Sequence, residues 1–418
     1  MSDLGCSSND NTAKFILPSR PTRILMVTPQ PFFEDRGTPI ALRFVASALG
    51  EAGYEVDLLS FPLGRSVEIP GVTLSRCANP LSISRVPVGF SWRKLALDAT
   101  LMYSFAGHLQ RKRYDLVHAV EEAAYMAAAL CPPRAIPFIY DMASAIPREL
   151  SKNPLFRRMQ LARAAAMGEK QVLDRAGHVI CSMGLRSYVL QQAPETELSE
   201  WRFPAMSRLV GGAAPAALRR SLGIGRDDRV ILYSGNFAAY QGVELLLQAF
   251  EIARVSAPEL MLVCVGATVA ERERLLAALS AETAARVRIV LRQRRRDMPI
   301  YMAASDFLIS PRVGTGNLPL KIFDYLAAGR PVVATRGVAH EPTLNSSRAV
   351  LCDPEPAAMA KAMLDLLASP HRAAELTRNA LTYSAQHLSW GTFAAFLDAT
   401  YQKTLLPQSR RGAQAAAA

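Results

Sequence analysis

The chain of 418 residues carries a formal net charge of +12, and half of its residues are apolar. That length exceeds one ordinary core and points to two domains, each able to bury its own. The basic excess suits phosphorylated ligands or an anionic membrane surface; with no aromatic-interleaved basic stretch and no recognisable nucleic-acid module, nucleic acid is excluded as a partner.

Residues 1–20 are polar, lack the apolar stretch of a secretion signal and read as a disordered tail. Arg23-Ile-Leu-Met-Val-Thr28 is a short apolar run suited to a buried parallel strand. A loop from Pro29 to Gly37 leads to a helix that Thr38 or Pro39 opens and Leu42, Val45, Ala46 and Leu49 carry, before the strand Glu55-Val-Asp-Leu-Leu-Ser60. Strand, glycine-bearing loop, helix and strand begin a doubly wound α/β domain. Ligands bind beyond the C-terminal strand ends of such sheets, so Gly37 and Thr38 are candidate site residues, although the loop is not GxGxxG. Ser91 to Tyr114 is amphipathic with basic ends; it reads as a core-facing helix, with an anionic membrane surface as the other reading. Asp115 to Glu122 is a strand through His118 followed by two carboxylates, and Pro137 to Asp141 is another strand. His118 and Asp141, at adjacent strand ends, are placed for acid/base or hydroxyl-orienting work in one cleft; the other reading of His118 is a hydrogen-bonded strand-end histidine. Gly177 to Ser182 reads as the last strand of this half.

Gly211-Gly-Ala-Ala-Pro215 lies at the boundary, and Arg229-Val-Ile-Leu-Tyr-Ser-Gly-Asn236 restarts the α/β pattern. A periodic helix through Val243, Leu246, Leu247 and Phe250 follows, then buried strands at Leu260–Gly266, Val287–Leu291 and Asp306–Ser310. Arg292 to Arg296 is a basic run just past a strand end, where it can add positive potential to a cleft. Gly314-Thr-Gly-Asn-Leu-Pro319 mimics a dinucleotide fingerprint but has Pro319 in place of the third glycine. Next comes a short helix, with Asn317 as its expected cap, Pro319 in its first turn and Gly329 past its end, and then the strand Pro331-Val-Val-Ala-Thr335. Lys321 and Asp324 share its polar face; a cation in the first turn opposes the helix dipole unless an anion is bound there, with Asp324 beside it to accept from hydroxyls. A last long helix spans Asn379 to Tyr401, and residues 407–418 read as a disordered tail. Six cysteines (Cys6, Cys77, Cys131, Cys181, Cys264 and Cys352) stand singly, which fits a reducing compartment and no zinc site. No apolar run reaches the length of a membrane span, and the expected location is cytoplasmic, either free or peripheral on the inner face of the membrane.

Tyr233-Ser-Gly-Asn-Phe-Ala-Ala-Tyr-Gln-Gly-Val-Glu-Leu-Leu-Leu-Gln-Ala-Phe250, Leu308-Ile-Ser-Pro311, Lys321 to Thr335 and His340-Glu341 together resemble, in order and spacing, the donor domain of the retaining glycosyltransferases of family four. The resemblance implies the GT-B fold, two doubly wound Rossmann-like domains facing across a cleft: an N-terminal acceptor-side domain at 21–205, a C-terminal donor domain at 206–385, and a helix at 386–406 returning to the first. It implies transfer with retention from a nucleotide-diphosphate sugar, either a UDP- or a GDP-sugar, to an acceptor (glycan, lipid-linked or small molecule), without cofactor or bound metal. Gly235, Asn236, Gln241, Gly316, Asn317, Leu318, Lys321 and Asp324 then become donor-binding candidates, Asp324 for the ribose and Lys321 for the diphosphate, with His118, Asp141 and the Gly37–Thr38 loop facing sugar and acceptor. The chain departs from the family pattern where Gly316 stands for a glutamate and Asn236 and Gln241 for basic residues. Those departures leave a catalytically inactive GT-B protein as the alternative, and a sugar-nucleotide epimerase as a third reading.

Overall fold

In the computed structural model, which describes residues 20–86, 91–151, 161–205, 211–314, 319–337, 339–341 and 343–406, the chain forms two parallel sheets flanked by helices. The first contains β1 (Arg23–Pro31), β2 (Glu55–Phe61), β3 (Val72–Arg76), β4 (Leu116–Val120), β5 (Phe138–Met142), β6 (His178–Cys181) and β7 (Leu198–Glu200), in the order β3-β2-β1-β4-β5-β6-β7. The second contains β8 (Arg229–Ser234), β9 (Leu260–Ala267), β10 (Val287–Leu291), β11 (Phe307–Ser310), β12 (Val332–Thr335) and β13 (Val350–Cys352), in the order β10-β9-β8-β11-β12-β13. The central strands are near-continuous apolar runs because helices cover both faces of each sheet. Strands β3, β7 and β13 add sheet edges that periodicity did not indicate; they are short and largely part-exposed, so no apolar run marks them.

Both sheets reverse their winding once, between β1 and β4 and between β8 and β11. The crevice beyond the strand ends at such a reversal is where open α/β sheets bind ligands.

The helices of the first half are α1 (Gly37–Glu51), α2 (Trp92–Arg111), α3 (Ala123–Leu130), α4 (Ile146–Ser151), α5 (Leu161–Arg175) and α6 (Arg186–Gln192). Those of the second are α7 (Ala213–Ser221), α8 (Val243–Ser256), α9 (Val269–Ala277), α10 (Ala281–Ala285), α11 (Met298–Ala303), α12 (Lys321–Ala327), α13 (Pro356–Leu367), α14 (Pro370–His387) and α15 (Trp390–Leu405). In α8 the residues Val243, Leu246, Leu247, Phe250 and Ala253 form one buried stripe, the spacing that read as a helix in the sequence. Ser91 caps α2 by accepting from the Lys94 N–H, and Leu97, Leu101, Phe105 and Leu109 form its buried face, while Trp92, Leu95 and Tyr103 are exposed. No helix among the described residues is long and apolar enough to cross a membrane, and all five described cysteines are buried free thiols.

The expected single helix from Asn379 to Tyr401 is two. Helix α14 stops at His387, and Ser389 caps α15 through a 3.0 Å bond from the Thr392 N–H, so the chain turns back over the first domain. There Trp390 Nε1 donates to Glu51 at 2.7 Å and Tyr54 Oη to Asp398 at 2.6 Å. Phe203 packs against Phe44, Phe323 and Phe393 with ring centroids 5.8–6.3 Å apart, so one apolar core passes from α1 through α15 to α12.

Candidate functional site

Strand β8 ends in Ser234 and runs into Gly235, whose φ of +145° only glycine adopts easily. A Cβ there would stand 3.1 Å from Tyr233 Oη and 3.4 Å from Lys321 Nζ, so the missing side chain leaves room beside the lysine. Helix α12 begins at Lys321, two residues past Pro319, after a residue, Leu320, that makes no side-chain cap; the Pro319 carbonyl accepts from Ile322 N–H at 2.9 Å instead. Pro319 therefore does not occupy the first turn as the sequence led us to expect. The cap expected of Asn317, and the site candidates Gly316, Asn317 and Leu318, lie outside the described residues.

Helix α12 buries Ile322, Phe323, Asp324, Tyr325 and Leu326. Tyr325 Oη accepts from the Ser234 N–H at 2.9 Å and pins the helix to the end of β8. Lys321 Nζ lies 4.0 Å from the centre of the Tyr233 ring and 3.5 Å from Gln241 Oε1. Burial, and after it the charge of Arg312, hold this ammonium well below its ordinary pKa. Arg312 follows the end of β11, its guanidinium 4.9 Å over the Tyr240 ring, and burial lowers its pKa as well. The two cations share the β8/β11 switch point. Local pattern missed Arg312; its one signal was its position just beyond a strand end.

His340 fixes the rim of this crevice. Its Nδ1 donates to the Thr335 carbonyl at 2.8 Å, since a carbonyl can only accept, which leaves Nε2 to accept from Ser310 Oγ at 3.0 Å. Burial, aided by Lys321 and Arg312, lowers its pKa to about 4 and keeps the ring neutral. Asp324 is 8 % exposed, and Arg295 Nη2 donates to its Oδ2 at 3.0 Å. Arg295 also stands 5.3 Å over the ring of Phe44 in α1, so the expected basic run turns one arginine inward, onto the aspartate.

The structure thus brings together Gly235, Gln241, Lys321 and, one helical turn on, Asp324. Asn236 is exposed in the same loop, where its Oδ1 accepts from the Ala238 N–H at 3.2 Å. Gly37 and Thr38 open α1 in the first domain; a Cβ on Gly37 would meet nothing within 4 Å.

His118 and Asp141 do not face the cleft, contrary to the acid/base expectation. His118 is fully buried and bonded at both nitrogens, Nε2 to Asp141 at 3.3 Å and Nδ1 to Tyr401 Oη at 2.6 Å; Trp201 Nε1 donates to the other Asp141 oxygen at 2.6 Å. The alternating face of β4 that carries His118 looks toward α15, not toward solvent, and the polar cluster fastens that helix to the sheet. Tyr401→Phe is accordingly expected to lower unfolding stability by about 1–2 kcal/mol in a urea titration, with nucleotide affinity unaltered. An unchanged urea midpoint would remove the bracing role.

Residues 228–369 match the family described as glycosyl transferases group 1, and residues 36–196 match the glycosyl transferase 4-like domain. The D-inositol 3-phosphate glycosyltransferase of Thermobispora bispora is 25% identical over 392 residues, covering 86% of this chain and 88% of that protein. Among solved structures, sucrose-phosphate synthase from Thermosynechococcus elongatus superposes with a TM-score of 0.73 at 20% identity, over 91% of this chain and 98% of that one. The Anabaena protein HepE, solved in complex with UDP and glucose, superposes with a TM-score of 0.69 at 18% identity, over 91% of this chain and 99% of that one. Both structures share the fold.

Proposed function

Because the chain belongs to the group 1 glycosyltransferases and has their GT-B fold, we propose that it transfers a sugar from a UDP-sugar to a hydroxyl-bearing acceptor, with retention of anomeric configuration. The observation that carries this is Lys321. Its ammonium contacts a neutral amide and a phenol ring, and its neighbouring charge is another cation, Arg312. An ammonium buried beside another positive charge destabilises the free protein until an anion joins it. A nucleotide diphosphate supplies that anion. Uridine is the favoured base because a structure of the same fold is solved with UDP.

When the bond between the sugar and the β-phosphate breaks, negative charge grows on the departing diphosphate, and Lys321 and Arg312 are already in place to meet it. Asp324 is the proposed ribose contact, and the Gly235–Gln241 loop is proposed to meet the phosphates and sugar opposite Gly37 and Thr38. With this charge provided by side chains, turnover is proposed to need no metal ion and to persist in EDTA.

Binding without transfer is the second reading, favoured by the burial of His118 and Asp141 and by the Arg295–Asp324 pair. A panel of UDP- and GDP-sugars separates the two. A UDP-sugar at about 100 times its Kd should raise the melting temperature by several degrees, a gain of about 2.7 kcal/mol, and release UDP when acceptor is added. NMR of the product should show the donor's anomeric configuration. Stabilisation with neither transfer nor hydrolysis selects the second reading, and the absence of stabilisation by any nucleotide-sugar removes both.

A further inference from the structure

Helix α2 is apolar on two sides. Leu97, Leu101, Phe105 and Leu109 form the side that packs into the core of the first domain. A second stripe faces solvent: Trp92, Leu95, Met102 and Tyr103 are 42–83 % exposed. With the small Ala99 and Ala106 between and after them, they fall within an arc about 100° wide on the helix surface. No side chain in that arc is charged. A contiguous apolar stripe left in water marks a place of interaction.

The charges around the stripe have one sign. The one acidic residue of the helix, Asp98, lies on the inner side with a carboxylate oxygen shut off from water. Lys94 and Lys112 are neutralised by Glu122 and Asp57. Arg93, Arg111 and Arg113 are exposed and enter no ion pair among the described residues. Arg93 and Arg111 are about five helical turns apart, roughly 27 Å, so they border the stripe on the same side at its two ends.

A second copy of the chain and a lipid surface both suit an apolar stripe, and charge decides between them. Both ends of α2 are basic, so a second copy, itself at net +12, brings arginines against these arginines whichever way it docks. Anionic headgroups neutralise them instead. Tryptophan and tyrosine, moreover, are the side chains that settle at the boundary between headgroups and acyl chains. No helix among the described residues is long and apolar enough to cross a membrane, so α2 lies along the surface.

We propose that α2 is a docking surface for an anionic phospholipid bilayer, with Trp92, Leu95, Met102 and Tyr103 entering the headgroup layer and Arg93, Arg111 and Arg113 meeting the phosphates. Docking brings the crevice of the first domain to the lipid surface. Lys94, in the first turn of α2, donates to Glu122, two residues beyond β4, so this end of the helix stands at the strand ends where doubly wound sheets bind ligands. The surface does not depend on which reaction the chain performs.

Flotation on vesicles, without nucleotide, is the test. Vesicles of phosphatidylcholine mixed equally with phosphatidylglycerol should carry the protein up a density gradient, phosphatidylcholine alone should not, and added salt should lower the binding. The pair Leu95→Gln and Tyr103→Gln should weaken partitioning about tenfold, and so should the pair Arg111→Gln and Arg113→Gln. The replaced side chains are exposed, so both variants should melt as wild type does. Val255→Gln, at an exposed apolar position of the second domain, should leave partitioning unchanged. No binding to anionic vesicles, equal binding to neutral ones, or binding that either pair of substitutions leaves intact overturns the docking surface. So does a dimer in sedimentation that the Leu95/Tyr103 variant dissolves while vesicles stay unbound, which assigns the stripe to a second copy.

Discussion

Lys321→Met is expected to weaken UDP binding about a hundredfold while changing uridine binding by no more than about twofold. The ammonium lies 4.0 Å from the Tyr233 ring centre and 3.4 Å from the space a Gly235 side chain would fill, at the crevice where β8 and β11 part. A hydrogen bond to a charged group contributes roughly 1.5–3 kcal/mol, the upper end where water is excluded, and a hundredfold loss is about 2.7 kcal/mol. The free protein should respond in the opposite direction. Burial and Arg312 lower the lysine's folded pKa well below its ordinary value, so over the interval from that folded pKa up to about 10.4 the unfolded chain holds the proton and the folded chain does not. Wild-type stability therefore rises with pH across that window, and below it the full penalty of the buried charge is present. Methionine keeps the apolar bulk without the charge. The variant should melt above wild type at neutral pH, with the gap closing as pH approaches 10. Equal losses for UDP and uridine would separate Lys321 from the phosphates, and a variant that melts lower would show that the ammonium is compensated in the free protein.

The same pair of residues shows what was readable from the sequence. The spacing of Ile322, Phe323 and Leu326 and the apolar run after Gly329 announced a short covered helix feeding a parallel strand, and a lysine there was anomalous on dipole grounds alone. Its near neighbour Arg312 was not legible, because only the β8–β11 pairing brings the end of β11 beside α12. His118 and Asp141 were misread for a similar reason. Their strand-end positions were visible, but the group that decides the role of His118, Tyr401, lies 283 residues away and arrives only when the last helix turns back. The break before that helix carries a local signal, the cap Ser389, whose side chain accepts from the Thr392 N–H, whereas the apolar residues that marked the helix, Trp390, Phe393, Phe396 and Leu397, all follow it. Glu121 and Glu122 were plain as a carboxylate pair, but their partners Gln30 and Lys94 come from two other elements, β1 and α2.

Gly242→Ala is expected to cost about 3–5 kcal/mol of unfolding free energy, a large share of the roughly 5–15 kcal/mol typical of folded domains, and to weaken UDP binding at least about tenfold. Gly242 joins the short turn Ala239–Gln241 to α8 with φ of +70°, and a Cβ there would stand 2.0 Å from the Pro311 carbonyl oxygen and 2.9 Å from its carbon. Left-handed backbone costs an alanine about 1–2 kcal/mol, and the overlap is with main chain, which cannot rotate aside. Relief requires the two segments to part by more than about 1 Å, which breaks the 2.9 Å bond from Val313 N–H to the Tyr240 carbonyl that clamps them. Gln241 travels with one segment and Arg312 with the other, so the movement opens the space around Lys321 from both sides. Gly107→Ala is the matched control: it meets nothing within 4 Å, adopts an ordinary φ and sits inside α2, where alanine is favourable. Urea unfolding of both variants with parallel UDP titration separates the effects. A Gly242→Ala midpoint equal to wild type would mean that the clamp yields at little cost, whereas lost stability with intact UDP affinity would mean that Gln241 and Arg312 hold their places around Lys321 without it.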